Sequence, residues 1–306
     1  HTHYVDITGE NFWVKGLIEK HHAEASAKGI KIIPSCGFDS IPSDLGTFFS
    51  AKAIGKPIKR IESFHSYKGG ASGGTLETMF SMGELDLGDD LTDPFLLNPK
   101  DSYSNEQKQL SSDRVGIARK PEISAWSGPF IMATANTRVV RRTEALLSLR
   151  QESYGADFTY QEHAYHKSWF SAARSLILTG ISVLVLLSPL KKLVKPFLPK
   201  PGEGPSESVQ DNGWFDCKYI VETDDGIKSV FNMNGKGDPG YKVTSKLVSE
   251  CALCLIENED SLPGGKEYGG VLTSASALRR PINFEVKQSW YKFRGSALIF
   301  FLNKLI

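Results

Sequence analysis

The chain predicts an α/β fold built on a parallel sheet, and three observations lead there. Its first 57 residues alternate strand, helix, strand, loop and helix, the order of a parallel α/β unit. Both helical stretches carry start and stop signals. With 306 residues and 40% hydrophobic content, the chain can bury a sizeable core. Tyr4 to Ile7 alternates apolar and polar residues with β-branched enrichment and ends at Thr8, Gly9 and Glu10. Residues 11–28 form a helix with Trp13, Val14, Leu17, Ile18 and Ala25 on one stripe, stopped by Gly29. Residues 30–34 are a second short strand, followed by the loop CGFDSIPSDLG (36–46). Pro42 and Asp44 open another helix, carried by Leu45, Phe48, Phe49 and Ala53 and closed by Gly55 and Pro57.

This order corresponds to the C-terminal part of a Rossmann-type parallel sheet. The chain begins at His1, and no strand with a glycine-rich turn precedes Tyr4. The expectation is therefore a nucleotide-binding unit, residues 1–56, whose front half lies outside this sequence. The net charge of +1 argues against a dedicated nucleic-acid binder, and 23% charged residues argue against global disorder. Four cysteines, Cys36, Cys217, Cys251 and Cys254, are too few and too unevenly spaced for a disulfide scaffold. Cys251 and Cys254 form a CxxC inside the helical ECALCLIE, without a second pair or a downstream histidine, so they are read as helix-core cysteines. The histidine spacings predict no metal site.

Residues 58–67 alternate as a strand and run into GGASGGTLET, where closely spaced glycines let the backbone approach a neighbour. The stretch is either a tight strand-to-helix connection or a substrate or cofactor loop, with a helix beginning at Thr75. Residues 89–113 read as a long surface loop. Residues 129–147 read as a helix that places Arg138, Arg141 and Arg142 on one face; a solvated face or internal ion pairing is preferred to a phosphate or carboxylate clamp. Residues 156–165 alternate as a strand, with Phe158, Tyr160 and Glu162 on one side.

The most unusual composition is SLILTGISVLVLLSPL (175–190), sixteen residues without a charge, flanked by Trp169, Phe170 and Arg174 and by Lys191, Lys192, Lys195 and Lys200. As a helix it spans roughly 24 Å at about 1.5 Å per residue, short of the roughly 30 Å hydrocarbon layer. Insertion into one leaflet, or a shallow hairpin bent at Gly180 or Pro189, is preferred to a buried core helix. Residues 214–233 form a hairpin turning at Asp224, Asp225 and Gly226. Gly235, Gly237 and Gly240 make a literal G-x-G-x-x-G before a helix over 241–255. Asp238 would stand where pyrophosphate should sit and Pro239 removes a donor, so the motif is read as a turn lining a substrate pocket.

HYVDITGE, CGFDSIPSDLG, GGASGGTLET, PFIMATANTRVVRR, LPKPGEGPSE, GDPGYKVTS and GGVLT, in that order over residues 2–274, resemble the saccharopine dehydrogenase-like oxidoreductases. The plant and animal members of that family also resemble mycobacterial trans-acting enoyl reductases. The resemblance implies a Rossmann domain carrying NAD or NADP, then an α+β substrate and dimerisation domain (57–168 and 205–278) in a homodimer. It also implies membrane or lipid-droplet association, in accord with residues 169–200; mitochondrion or cytoplasm is the alternative. By that resemblance Thr8, Gly9 and Glu10 face the cofactor crevice, and Cys36, Gly37, Phe38 and Asp39 form the loop approaching the nicotinamide. Gly73, Gly74, Thr75, Asp238 and Tyr241 are the substrate-side candidates. No catalytic residue is nominated. Without the front-half loop, this chain is expected to bind no dinucleotide. Residues 279–306 depart from the family, as an incomplete gene boundary would cause. The expected activity is an NAD(P)-dependent oxidoreduction of a lipid-linked or apolar substrate. The alternatives are a non-catalytic lipid-surface protein and saccharopine chemistry in lysine metabolism.

Overall fold

The computed structural model describes residues 2–38, 40–70, 73, 74, 77, 78, 88–197, 199, 200, 202–279 and 286–289. In chain order these give β1 (Tyr4–Val5), α1 (Asn11–Ala27), β2 (Lys31–Ile33), α2 (Ile41–Ile54), β3 (Ile58–Lys68), α3 (Asn105–Leu110), β4 (Ala118–Lys120) and β5 (Ala125–Gly128). They continue with α4 (Ala133–Ser148), β6 (Thr159–His166), α5 (Trp169–Leu187), α6 (Lys191–Val194), α7 (Glu207–Asp211), β7 (Trp214–Thr223) and β8 (Lys228–Lys236). Last come α8 (Thr244–Asn258), β9 (Gly270–Val271), α9 (Ser274–Ala277) and β10 (Val286–Ser289).

The fold is α/β, with a small parallel sheet and a large mixed one. The small sheet has the order β1-β2-β9, and α1 crosses from β1 to β2. Its third strand comes from the far end of the chain. The large sheet has the order β10-β8-β7-β3-β6-β5-β4. In it β3 and β6 run parallel, while the other neighbours are antiparallel. Alternation along β3 and β6 sends Ile61, Ser63, His65, Tyr160 and Glu162 to one face, and Phe64 and His163 to the other, where those two rings stack. The first face packs on α2 and α4. Ile61, Tyr160, Tyr219 and Val221 there share one core with Ile33, Leu45, Val140 and Leu272, so both sheets close over the same apolar interior.

Packing reshapes several sequence expectations. The helix expected over 129–147 begins at Ala133, because residues 125–128 pair with β6 as β5. The solvated arginine face is overturned: Arg138, Arg141 and Arg142 are all buried. Arg138 pairs with Asp113, Arg141 donates to the Pro94 and Tyr160 carbonyls, and Arg142 donates to the Leu97 and Val271 carbonyls. Those bonds draw the 89–113 stretch inward. The stretch lies largely at the surface, as expected, but Phe95 and Leu97 anchor it in the interior and it contains α3, capped by Ser104 and Gln107.

The apolar segment also differs from expectation. α5 starts with a capping box of Ser168 and Ser171 and runs unbroken through Gly180, so there is no hairpin at that residue. It is not a core helix either: Phe170 is 80% exposed, and Ile177, Leu178, Ile181 and Leu184 are exposed with it. Among the described residues no helix is long and apolar enough to cross a membrane. The helix expected from Tyr241 is preceded by a π-helical turn, Pro239–Val243, before α8 begins.

Candidate functional site

The loop after β1, the start of α4 and the inner side of α5 enclose a cavity of about 1190 Å³. Asp6, Ile7, Thr8, Gly9 and Glu10 form one wall at the carboxyl end of β1, the position at which parallel α/β sheets present ligands. Phe130, Met132 and Ala135 form a second wall; Leu176, Gly180 and Val183 of α5 form a third. Gly74, beyond β3, and Thr244, the first residue of α8, also reach it. The lining is predominantly apolar, with polar groups at few points, which suits a large apolar ligand with one polar end.

Asp6 organises the first wall. Its Oδ1 accepts from the amides of Thr8 and Ser35, both at 2.9 Å, while its Oδ2 is buried without a hydrogen-bond partner. A buried carboxylate oxygen with no donor is costly unless a ligand supplies one.

Glu162 stands at the inner end of the cavity on the central strand β6, 3% exposed. Asn136 Nδ2 donates to its Oε1 at 2.6 Å, the Tyr160 hydroxyl donates to its Oε2 at 3.0 Å, and His65 Nε2 lies 3.4 Å from Oε1. Behind it, Ser63 Oγ is 2.7 Å from the Tyr160 hydroxyl and 2.9 Å from His65 Nε2, and Cys217 Sγ is 3.2 Å from His65 Nδ1. Burial pushes the Glu162 carboxyl up to about 7 against its hydrogen-bond donors. Burial likewise pushes His65 down to about 3, so its imidazole is neutral, and raises the Cys217 thiol and the Tyr160 phenol well above their ordinary ranges. Phe130, stacked on His65 at 5.0 Å between centroids, separates this network from the cavity beside Glu162.

The sequence-nominated residues divide. Thr8, Gly9, Glu10 and Gly74 line the cavity. Cys36 is fully buried and its thiol donates to the Ile33 carbonyl. Phe38 packs edge-on against Phe215 in the core, and Gly37 lies between Ile7 and Thr244. Asp39 and Thr75 lie outside the described residues. The two glycine-bearing loops meet the same turn: the Phe38 amide donates to Thr244 Oγ1, and a Cβ on Gly69 would lie 2.7 Å from Pro239 Cδ. Within that turn Asp238 is buried, and its carboxylate accepts from the amides of Tyr241 and Lys242. The donors that a pyrophosphate would need are therefore already engaged. The Tyr241 hydroxyl and the Gly73 amide both donate to the Glu203 carbonyl. Sequence reasoning missed the Glu162 network, Asp6 and Phe130. The signal for Glu162 was its place in register with Phe158 and Tyr160 on the inward side of a strand. Among the described residues, no group of histidine, cysteine and carboxylate side chains is arranged to hold a metal ion.

The sequence matches no protein-family model. Individual relatives do match. A Mycobacterium tuberculosis protein provisionally named a trans-acting enoyl reductase is 35% identical over 300 residues, covering 90% of this chain and 70% of the relative. The trans-acting enoyl reductases of Mycobacterium leprae and Mycobacterium bovis are 31% and 30% identical with the same coverage. With identity of this level across nine-tenths of its length, the chain belongs to the trans-acting enoyl reductase family of oxidoreductases.

Proposed function

We propose that the protein is a saccharopine dehydrogenase-like, NAD(P)-dependent oxidoreductase that reduces a carbon–carbon double bond in an apolar, lipid-linked acyl substrate. On this reading residues 1–56 are the cofactor side, derived from the C-terminal part of a Rossmann sheet. Residues 57–168 and 205–278 are the substrate side and supply homodimer contacts, and residues 169–200 rest on a membrane or lipid-droplet surface. One observation carries the proposal: α5 is at once a wall of the apolar cavity and the bearer of an exposed apolar face. A substrate held in lipid would meet the cavity at that helix.

The residues at the cavity wall fit the nicotinamide end of the cofactor. Asp6 Oδ2, buried and lacking a donor, can accept from a carboxamide N–H or a ribose hydroxyl, and Ile7 offers an apolar side to the ring. When bound, a reduced nicotinamide supplies the hydride. The chain's own residues hold the acyl group between Phe130, Met132 and α5 and exclude water from it.

Titration of the purified chain with NADPH, then assay against a long-chain 2-enoyl thioester with anionic vesicles present, tests the proposal. The sequence alone predicts no dinucleotide binding by this chain, whereas the buried Asp6 Oδ2 at the cavity wall supports it. Saturable binding and thioester-dependent NADPH oxidation are the outcomes this proposal expects, and no binding would uphold the sequence expectation. Oxidation with saccharopine instead would overturn the substrate class; the buried, internally bonded Arg138, Arg141 and Arg142 speak against that outcome. Vesicle binding without any cofactor binding would favour a non-catalytic lipid-surface protein, the second reading that the exposed face of α5 supports.

A further inference from the structure

Glu162 is an acid in an unusual place. It occupies a central strand, has side chains hydrogen-bonded to both oxygens, and still borders the cavity. With Glu162 ionised, the hydrogen-bond directions around it follow from chemistry. The Tyr160 hydroxyl spends its proton on Glu162 Oε2, so Ser63 must donate to Tyr160, and the neutral His65 must donate from Nε2 to Ser63. That tautomer leaves Nδ1 as the acceptor for the Cys217 thiol, which burial keeps protonated. Four donors in series, from β7, β3 and β6, thus point at one carboxyl group.

We propose that Glu162 is the proton donor of the reduction, with Tyr160, Ser63 and His65 as positioning residues that stabilise its carboxylate once the proton has left. This rests on the enoyl-reductase reading above. The substrate's double bond gains a hydride on one carbon from the reduced nicotinamide dinucleotide, which is thereby oxidised. Its α-carbon forms a C–H bond with the proton of Glu162, whose O–H bond breaks to leave the carboxylate. Water entering the cavity after product release returns the proton. A carboxyl group poised near neutrality is present in both its acid and its carboxylate form there, so it can both hold a proton and release it readily. Burial raises its titration, and Asn136 from α4, Ser43 from α2, and Tyr160 and His163 from β6 itself oppose the rise. Arg141 from α4 and Cys217 and Tyr219 from β7 also face it, beside the neutral His65 of β3.

The test compares the wild-type chain with Glu162→Gln and Tyr160→Phe in three measurements. Infrared difference spectra across pH should show a protonated carboxyl band that titrates near neutrality, is absent in E162Q and is shifted in Y160F. Turnover of the long-chain 2-enoyl thioester should fall at least a hundredfold in E162Q, with KM changed less than threefold, and the acidic-to-neutral pH profile should flatten. The same proton transfer read in reverse needs no nicotinamide: deuterium uptake from D2O at the α-carbon of a palmitoyl thioester should occur in the wild type and fail in E162Q. Binding of cis-parinaric acid by E162Q checks that the cavity is intact. If the wild type reduces nothing yet exchanges the α-hydrogen through Glu162, the redox reading fails, and of this inference only the proton transfer between Glu162 and the α-carbon stands. Turnover or exchange by a folded E162Q within threefold of wild type overturns it. So does a Glu162 band titrating in the ordinary carboxylate range.

Discussion

The Asp44 carboxylate accepts a 2.8 Å hydrogen bond from the amide of Ala275, a residue 231 positions further along the chain. Ser274 donates to the same oxygen at 2.7 Å, and Thr143 donates to the other, so one side chain of α2 fastens both α4 and the start of α9. Asp44 is fully buried, and the arrangement ties α2 to α9 across the core.

Burial raises the Asp44 carboxyl from 3.8 to about 6 despite its donors. An acid with a raised folded pKa binds its proton more tightly when folded. Its contribution is therefore most favourable below about pH 4 and is lost as pH rises through about 6. The shift corresponds to about 3 kcal/mol. Denaturant melts at several pH values should show this slope in the wild type and a flatter profile in Asp44→Asn. Asp44→Ala should cost about 2–4 kcal/mol at all pH values, since it strands the buried Thr143 and Ser274 hydroxyls and the Ala275 amide. A pH slope in D44N equal to the wild type's would refute the assignment.

Gly180 sits in the middle of α5 with no atom within 4 Å of where a Cβ would stand, although it lines the cavity. Gly180→Ala should therefore stabilise the protein by about 0.5–1 kcal/mol through helix propensity alone. Gly180→Phe should leave the melting temperature near the wild type's but cut binding of a long-chain fluorescent fatty acid at least tenfold by filling the cavity. Unchanged binding in the Phe variant would mean that ligands do not use this side of the cavity.

The outer face of α5 provides the third prediction. Phe170, Ile177 and Ile181 are 80%, 62% and 52% exposed and lie away from the cavity, and Lys191 and Lys192 follow the helix. Flotation with vesicles containing anionic lipid should recover the wild-type chain and lose the F170E/I177E/I181E triple variant, with circular dichroism unchanged. Replacing Lys191 and Lys192 by Gln should weaken binding more modestly, at about 1 kcal/mol for each basic residue near the surface. Recovery of the triple variant equal to wild type would exclude this face as the contact.

Local signals were enough for β3, for α2 and for the β7–β8 hairpin, whose Gly226 takes the left-handed φ of 79° that its turn requires. What sequence reading could not supply were partners far along the chain. The arginines of α4 look like a surface stripe because nothing nearby reveals the carbonyls of Pro94, Leu97 and Val271 that absorb them. β9 is two residues long, too short for any periodic signal, and exists only because β2 offers it a parallel edge. Glu162 could be placed on the inward side of its strand, but its chemistry depends on Asn136 and His65, which no spacing predicts.

The late arrival of β9 has a bearing on how the protein is made. β2 emerges from the ribosome roughly 240 residues before the strand that covers its second edge. At roughly 5–20 residues per second, that edge waits on the order of 10–50 s. Throughout that interval Ile30 and Ile32 present unpaired carbonyls beside an unfilled core, a template for pairing with another nascent chain. Yield in the cell should therefore depend on translation speed and on holding chaperones more than on the stability of the finished protein.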